Sequence, residues 1–261
     1  MDMKKLAAQI FDFLLNKGLV TWALLVLIWG IAALINGTEF LPGPLTTLRG
    51  GKEIVVNGVL FQYMGISFMR IFTGWALGIV TAVPIGLLIG QFRIVRRILE
   101  PFINFFRFIP AIGFLTLFLM WLGVGEESKI AIIIYATMFP VIINTIAGVS
   151  SISPVMIQVA QSQGASAGQI FFTVTVPASV PHIFTGVRLG LSGAIISIVA
   201  AEMLAAQKGI GYLIYTSRLY FRTDWIFVGI LTLGLTGYFS DRLLRYFGRT
   251  VLKRFGVTDR K

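Results

Sequence analysis

Arg107, Arg188 and Glu202 fall inside or at the edge of long apolar runs, where an ionisable group is costly unless it faces a passage or finds a partner. A guanidinium turned towards a central passage offsets the desolvation of a small anion. Arg188, about ten residues into its run, is the strongest candidate for that task. Arg107 reads equally as a residue near the cytoplasmic end of its run, free to snorkel, and Glu202 as half of an ion pair or a group at the outer end of its run. His182 follows Pro181 and reads as a capping or interfacial residue ahead of a proton relay. Glu126 and Glu127, in GVGEESK, read as a solvated turn or as charge offered to a docking protein. Phe114 belongs to an aromatic crowd with Phe105, Phe106, Phe108, Phe118 and Trp121. These pack, face lipid, or form an apolar constriction that closes a passage.

Catalysis finds little to work with. The chain has no cysteine and one histidine, so it offers no thiol nucleophile, no Cys-ligated metal site and no histidine cluster. No two acidic residues stand close together within an apolar run, as an intramembrane hydrolase would need. The phosphate-cradling pattern G-x-x-x-x-G-K-[ST] is absent, so ATP is not expected to bind here.

The elements that must hold these residues follow from composition. The 261 residues are 56% hydrophobic and only 13% charged, with a mean hydropathy of +0.86. Apolar runs long enough to cross a bilayer recur, and the short alternating segments of a membrane barrel are missing. The expectation is an all-α, polytopic transmembrane protein with about six spans, near 19–36, 68–90, 102–122, 130–149, 178–204 and 224–244. The first run is too long for a signal peptide and no small-residue cleavage site follows it, so it reads as a retained span. Pro84, Pro110 and Pro140 lie within spans and bend them or act as hinges. The segment 41–58 starts rich in Pro and Gly and then turns helical. One transmembrane domain, 1–261, is the economical reading.

The net charge of +11 points to loops retained inside the cell rather than to nucleic acid. The N-terminal tail (Lys4, Lys5, Lys17), the stretch after the second span (Arg93, Arg96, Arg97) and the C-terminal tail (Arg242, Arg245, Arg249, Lys253, Arg254, Arg260, Lys261) hold 13 basic residues, against 6 in the alternate loops. Both termini are therefore expected in the cytoplasm, and with them the loop at about 150–177.

That loop, QVAQSQGASAGQIFFTVTVP over 158–177, has no charged side chain. Pro154 suits a helix start, Gly164 permits a sharp turn, and SAGQIFF reads as a second short helix before Pro177 and Pro181 restart the chain. Small residues such as Ala160, Gly164, Ala165, Ser166 and Ala167 would let another protein approach the backbone closely.

The loop resembles the signature of the membrane subunits of binding-protein-dependent ATP-binding-cassette importers. That signature runs Glu-Ala-Ala, three residues, Gly, nine residues, Ile-x-Leu-Pro. Here Gln158, Val159 and Ala160 are followed after three residues by Gly164 and after nine more by Val174, Thr175, Val176 and Pro177. RFIPAIGFLTLFLMWLGVGEESKI (107–130), GVRLGL (186–191) and AAEMLAAQKGIGYLI (200–214) are similar to the branch that handles sulfonates, taurine, nitrate and bicarbonate. The resemblance implies a type I importer permease fold in a bacterial inner membrane. It implies as partners a second copy of the chain, two cytoplasmic ATPase subunits that bind ATP and Mg, and a periplasmic or lipid-anchored solute-binding protein. Gln158, Ala160, Gly164, Ala165, Ser166 and Pro177 would form the coupling contact, and Arg188, Arg107, Glu202 and Phe114 would line the path of a small oxyanion. The same family includes carriers of aromatic acids and vitamin precursors. A passive channel matches the hydropathy equally well, but gives no reason for the Gly164 loop.

Overall fold

A computed structural model of the protein describes residues 18–257; Lys4, Lys5, Lys17, Arg260 and Lys261, which enter the orientation count, lie outside them. The described chain is helical with no strand. It divides into two compact units, one formed by residues up to Phe61 with Leu213–Leu231, the other by Gln62–Tyr212 with Thr232–Lys261.

In the smaller unit, α1 (Leu19–Asn36) buries only Ala33, as an apolar helix built to meet lipid would. Helix α2 (Pro44–Val56) begins on the proline expected to start it. The Trp29 indole N–H donates to the Pro42 carbonyl at 2.9 Å, and its ring stacks on Phe227 at 5.6 Å. Arg222 donates to Glu53 at 2.7 Å and to Asp224 at 2.9 Å and lies 4.0 Å from the Trp225 ring centroid. By accepting those hydrogen bonds, Asp224 and then Glu53 hold the guanidinium above its ordinary, already high, value. This contact stays ionic wherever the carboxylates are ionised.

The larger unit is organised around α3 (Val59–Gln91) and α6 (Glu126–Ser150). Gly74, Gly78, Ala82, Gly86 and Gly90 recur every fourth residue on α3, so they share one face. A Cβ added to Gly74, Gly78, Gly86 or Gly90 would lie 2.6–2.8 Å from the Cβ of Ile133, Thr137, Thr145 or Val149 respectively. The matched steps, each rising along both chains, show that α3 and α6 run parallel with their backbones in close approach. In lipid, where burial of apolar surface drives no association between helices, such small-residue packing supplies the attraction. Helix α9 (Val176–Ala205) runs antiparallel to α6: Gly186 packs on Asn144 and Val141, and Gly190 on Thr137. Ile71, Leu115, Ile132, Ile133, Leu191 and Ile198 form one core cluster, and Ala82, Ile89, Ile103, Val141 and Ile142 a second.

The third expected span is differently built. Helix α4 (Arg93–Phe106) and the segment Ala111–Leu122, a 3-10 turn leading into α5 (Leu115–Leu122), meet at a bend of 92°. Pro110 sits at the break and not within a helix, because it has no N–H to continue the ladder and disfavours helical backbone just before it. Arg93, Arg96 and Arg97, expected in a loop, are the first turns of α4. Four other helical runs are long and apolar enough to cross a membrane: Leu19–Asn36, Val59–Gln91, Glu126–Ser150 and Ala167–Ala205. After the short α10 (Ile210–Leu219), the sixth expected span forms α11 (Thr223–Val251), also long, but Asp224, Asp241, Arg242 and Arg245 make it more polar than those four.

Gly86→Ala should destabilise the protein by about 2 kcal/mol, the usual cost of overpacking, because its Cβ would meet Thr145 and the Ile142 carbonyl. Gly234→Ala, with open space around its Cβ and a helical backbone to favour it, should be neutral or slightly stabilising. Thermal unfolding of the two variants in detergent checks this; equal midpoints would contradict the packing.

Candidate functional site

At one end of the larger unit, three helices contribute to a buried ion cluster. Ser67 and Arg70 stand one turn apart on α3, Glu126 and Lys129 one turn apart on α6, and Glu202 lies near the end of α9. Arg70 is 5% exposed and Glu202 0%, so each depends on the other for charge balance. The Arg70 guanidinium forks: Nε and Nη2 donate to Glu126 at 2.5 and 2.6 Å, and Nη1 donates to Glu202 at 2.9 Å and to the Lys208 carbonyl at 2.7 Å. Glu202 also accepts from Ser67 Oγ at 2.8 Å and from the Gly211 N–H at 2.8 Å, while Ser67 accepts from the Ile210 N–H at 2.9 Å. Lys129 Nζ donates to the Gly125 carbonyl at 2.8 Å and to Glu126 at 3.4 Å. A cavity of about 460 Å³ opens beside Arg70, Glu126, Lys129, Gln207 and Lys208.

This geometry explains the stretch AAEMLAAQKGIGYLI physically. Gly209 has φ +128°, and a side chain there would collide with the Glu202 carboxylate. At Gly211 a Cβ would lie 2.8 Å from the Glu202 Cβ. The two glycines leave room for a carboxylate to be bonded by backbone. Of the expected site residues, Glu202 takes the paired reading. Glu126 is not a free solvated turn, because Arg70 claims both of its oxygens; Glu127 remains exposed. Arg70 and Ser67 are the residues that sequence reasoning passed over. The available signal was an arginine inside an apolar run with a serine one turn before it.

The remaining path candidates fall elsewhere. Arg188 is half-buried and donates to Asp241 at 2.8 and 3.2 Å, and Asp241 also pairs with Arg245 at 3.0 Å. Phe114 packs on Tyr135 at 4.6 Å and on Phe118 at 5.9 Å, in an aromatic group at the 92° bend. Arg107 is exposed at the C-cap of α4, the far end of that helix from Arg93, with its guanidinium 4.7 Å from the Phe108 ring centroid. His182 is exposed, with Nε2 3.4 Å from Ser151 Oγ.

At the opposite end of the unit lies the chargeless segment. Helix α7 (Pro154–Ser162) starts at Pro154 as expected. Gly164 ends it with φ +78°, a left-handed residue that lets the Ala165 N–H reach back to the Ala160 carbonyl at 3.1 Å. Ser166 then caps α8 (Ala167–Ile170): its Oγ accepts from the Gln169 N–H at 3.3 Å while Gln169 Oε1 accepts from the Ser166 N–H at 2.8 Å. The expected second short helix is not separate. It runs through a π-helical turn, Phe171–Thr175, straight into α9, making one helical run from Ala167 to Ala205. The wider turn accommodates Pro177, whose ring would clash with the carbonyl four residues earlier in a regular helix. Gln158, Gly164 and Ser166 are exposed, Ala160, Ala165 and Pro177 partly so.

Arg70→Leu should cost about 3–5 kcal/mol by leaving Glu202 buried without its cation. Arg70→Lys should recover only part, since one ammonium cannot fork to two carboxylates. Arg70→Leu/Glu202→Leu should recover more than Arg70→Leu alone. Unfolding midpoints of the three purified variants decide it; a double variant no better than the single would contradict the coupling.

Residues 82–253 match the family model described as binding-protein-dependent transport system inner membrane component. The chain is 40% identical over 210 residues to a protein named as a probable ABC transporter permease of Brucella melitensis, covering 80% of this chain and 85% of that one. To the taurine transport system permease protein TauC of Escherichia coli it is 33% identical over 236 residues, covering 88% and 86%. Among solved structures, a chain of the MetNI methionine ABC transporter in inward-facing conformations aligns with a TM-score of 0.54 at 19% identity, covering 68% of this chain and 92% of that one, a likeness of fold. With two thirds of its length matched and relatives of this identity along most of the rest, the chain belongs to the family of inner-membrane permease components of binding-protein-dependent ABC transport systems.

Proposed function

We propose that this permease works as a homodimer with two cytoplasmic ATPase subunits and imports a small oxyanion, of the sulfonate or taurine class, handed over by a solute-binding protein. One observation carries the coupling part of this reading: a segment exposed, free of charge and rich in small residues continues as a single helical run to the ion cluster. The 39 residues from Ala167 to Ala205 measure about 58 Å at 1.5 Å per residue. Movement of an ATPase seated on Gly164 and Ser166 would pass along that run to the Arg70 and Glu202 cluster at the other end. Shape and apolar contact would carry the seat, so it should respond little to salt. ATP and Mg belong to the partner subunits. The taurine permease relative supports the oxyanion class, and carriers of aromatic acids remain the second reading in the same family.

Both termini and the Gly164 segment face the cytoplasm in this arrangement, supported by the excess of basic residues in those stretches. Single cysteines at Ser162 and Lys52, both exposed, should label from opposite sides of sealed vesicles. Thr47, in the same segment as Lys52, is 3% exposed and unsuited as a probe. Labelling of both from one side would overturn the sidedness.

Gly164→Asp tests the coupling. A Cβ there meets nothing within 4 Å, and Asp tolerates left-handed backbone better than most residues, so the permease itself should fold. Against a closely packed partner the added carboxylate would be buried unpaired, at a cost of several kcal/mol. The variant should insert normally yet lose co-purification of the ATPase or solute-stimulated ATP hydrolysis. Transport at the unmodified rate in reconstituted vesicles would overturn the assignment.

A further inference from the structure

Helix α4 runs beside α3 and carries an exposed polar stripe. Its direction follows from its contacts. Arg93 comes one residue after Phe92, at the Gln91 end of α3, which is level with Val149 of α6. At its other end, the Phe106 carbonyl accepts a hydrogen bond from Tyr135 Oη at 2.7 Å. In between, Ile103 packs with Ala82, Ile89, Val141 and Ile142. From Ser150 back to Tyr135 is about 22 Å along α6, and the 14 residues of α4 measure about 21 Å. Helix α4 therefore runs antiparallel to α3 and α6 through most of the bilayer, and the 92° bend turns the following segment across it.

Along this crossing helix Arg93, Arg97, Glu100, Asn104 and the C-cap Arg107 recur at intervals of three and four residues, which places them on one side. Arg93, Arg97, Asn104 and Arg107 are exposed. Arg96 is tied to Glu100 at 3.2 Å; among the described residues no ion pair engages Arg93, Arg97 or Arg107. The side that packs on the core is a different one, formed by Val95, Leu99, Ile103 and Phe106. A third side, Ile94, Ile98, Phe102 and Phe105, is apolar and exposed and suits lipid. Arg107 stands about 21 Å along the helix from Arg93, too deep to snorkel back, and hydrocarbon does not solvate a guanidinium.

We propose that the Arg93, Arg97, Asn104 and Arg107 side of α4 lines the translocation passage and carries a small anion along it. The inference rests on the importer reading above. Basic rings set anion selectivity in pores by replacing hydration with guanidinium contacts. Successive contacts, each weak, let an ion enter and leave. Between Arg97 and Arg107 lie Glu100, whose charge is offset by Arg96, and Asn104, a neutral donor; both keep the row from holding the anion too tightly.

The chain has no cysteine, so single cysteines report cleanly. In the importer assembled with its ATPase in proteoliposomes, Arg97→Cys and Asn104→Cys should react with a charged, water-soluble thiol reagent about tenfold faster than Ile98→Cys and Phe105→Cys, because a thiol facing hydrocarbon does not ionise. Asn104→Cys reacting no faster than Phe105→Cys, both without nucleotide and with ATP, would overturn the lining whatever the solute is. In a second arm, Arg97→Gln and Asn104→Leu should each cut taurine uptake about tenfold, as loss of a hydrogen bond to a charged group does, with the ATPase still co-purifying. Fast labelling with unchanged taurine uptake would support the lining and overturn the oxyanion reading instead.

Discussion

The close approach of α3 to α6 is the constraint on which the larger unit depends. Four glycines and an alanine at four-residue intervals remove the side chains from one face of α3, and β-branched residues of α6 at the same interval fill the space. Because the repeat on both helices is four, the contact persists over the full crossing and fixes register as well as distance. A slip by one residue would set Cβ atoms against backbone everywhere along it. With the register fixed, Arg70 of α3 comes level with Lys129 of α6 and within reach of Glu126 one turn away, and the antiparallel α9 delivers Glu202 to the same place.

The ion cluster and the chargeless segment then occupy opposite ends of one set of helices. Their physics is opposite too. The cluster is charged, rich in hydrogen bonds and buried at Arg70, Lys129 and Glu202, so its members hold one another in a single arrangement. The chargeless segment exposes small residues and makes its hydrogen bonds locally, through the Gly164 turn and the Ser166 capping box. A single helical run joins the two ends, and its π-helical turn before Pro177 lies at the end that carries the chargeless segment.

Prolines mark the places where the helical ladder changes direction or pitch. Pro110 stands at the 92° bend between α4 and the Ala111–Leu122 segment, and Pro177 follows the π-turn. Pro84 and Pro140 stay inside continuous helices, since neighbouring helices satisfy or shield the backbone groups they free. The bend is consequential because it separates an amphipathic α4 from an apolar segment packed into the aromatic group around Phe114 and Tyr135.

By itself the sequence determined that the chain is helical and apolar enough to cross a membrane, where four of its long helices lie, though two of them begin nine and eleven residues before their apolar runs, and that a chargeless segment turns at Gly164. Uninterrupted apolar runs, a chargeless loop with Gly164, and Pro154 at a helix start are local signals, and local hydrogen bonding converts them directly into structure. Partnership between distant residues was decided only in the folded unit. Arg70 and Glu202 are 132 residues apart, and nothing local to either tells which of several arginines neutralises the acid. The glycine spacing in α3 was visible, but its meaning depended on a partner helix of the same period. Hydropathy likewise could not show that 102–122 breaks at Pro110 and that the helix before the break begins at Arg93, because a window average sees how apolar a stretch is and not which side of a helix its charges occupy.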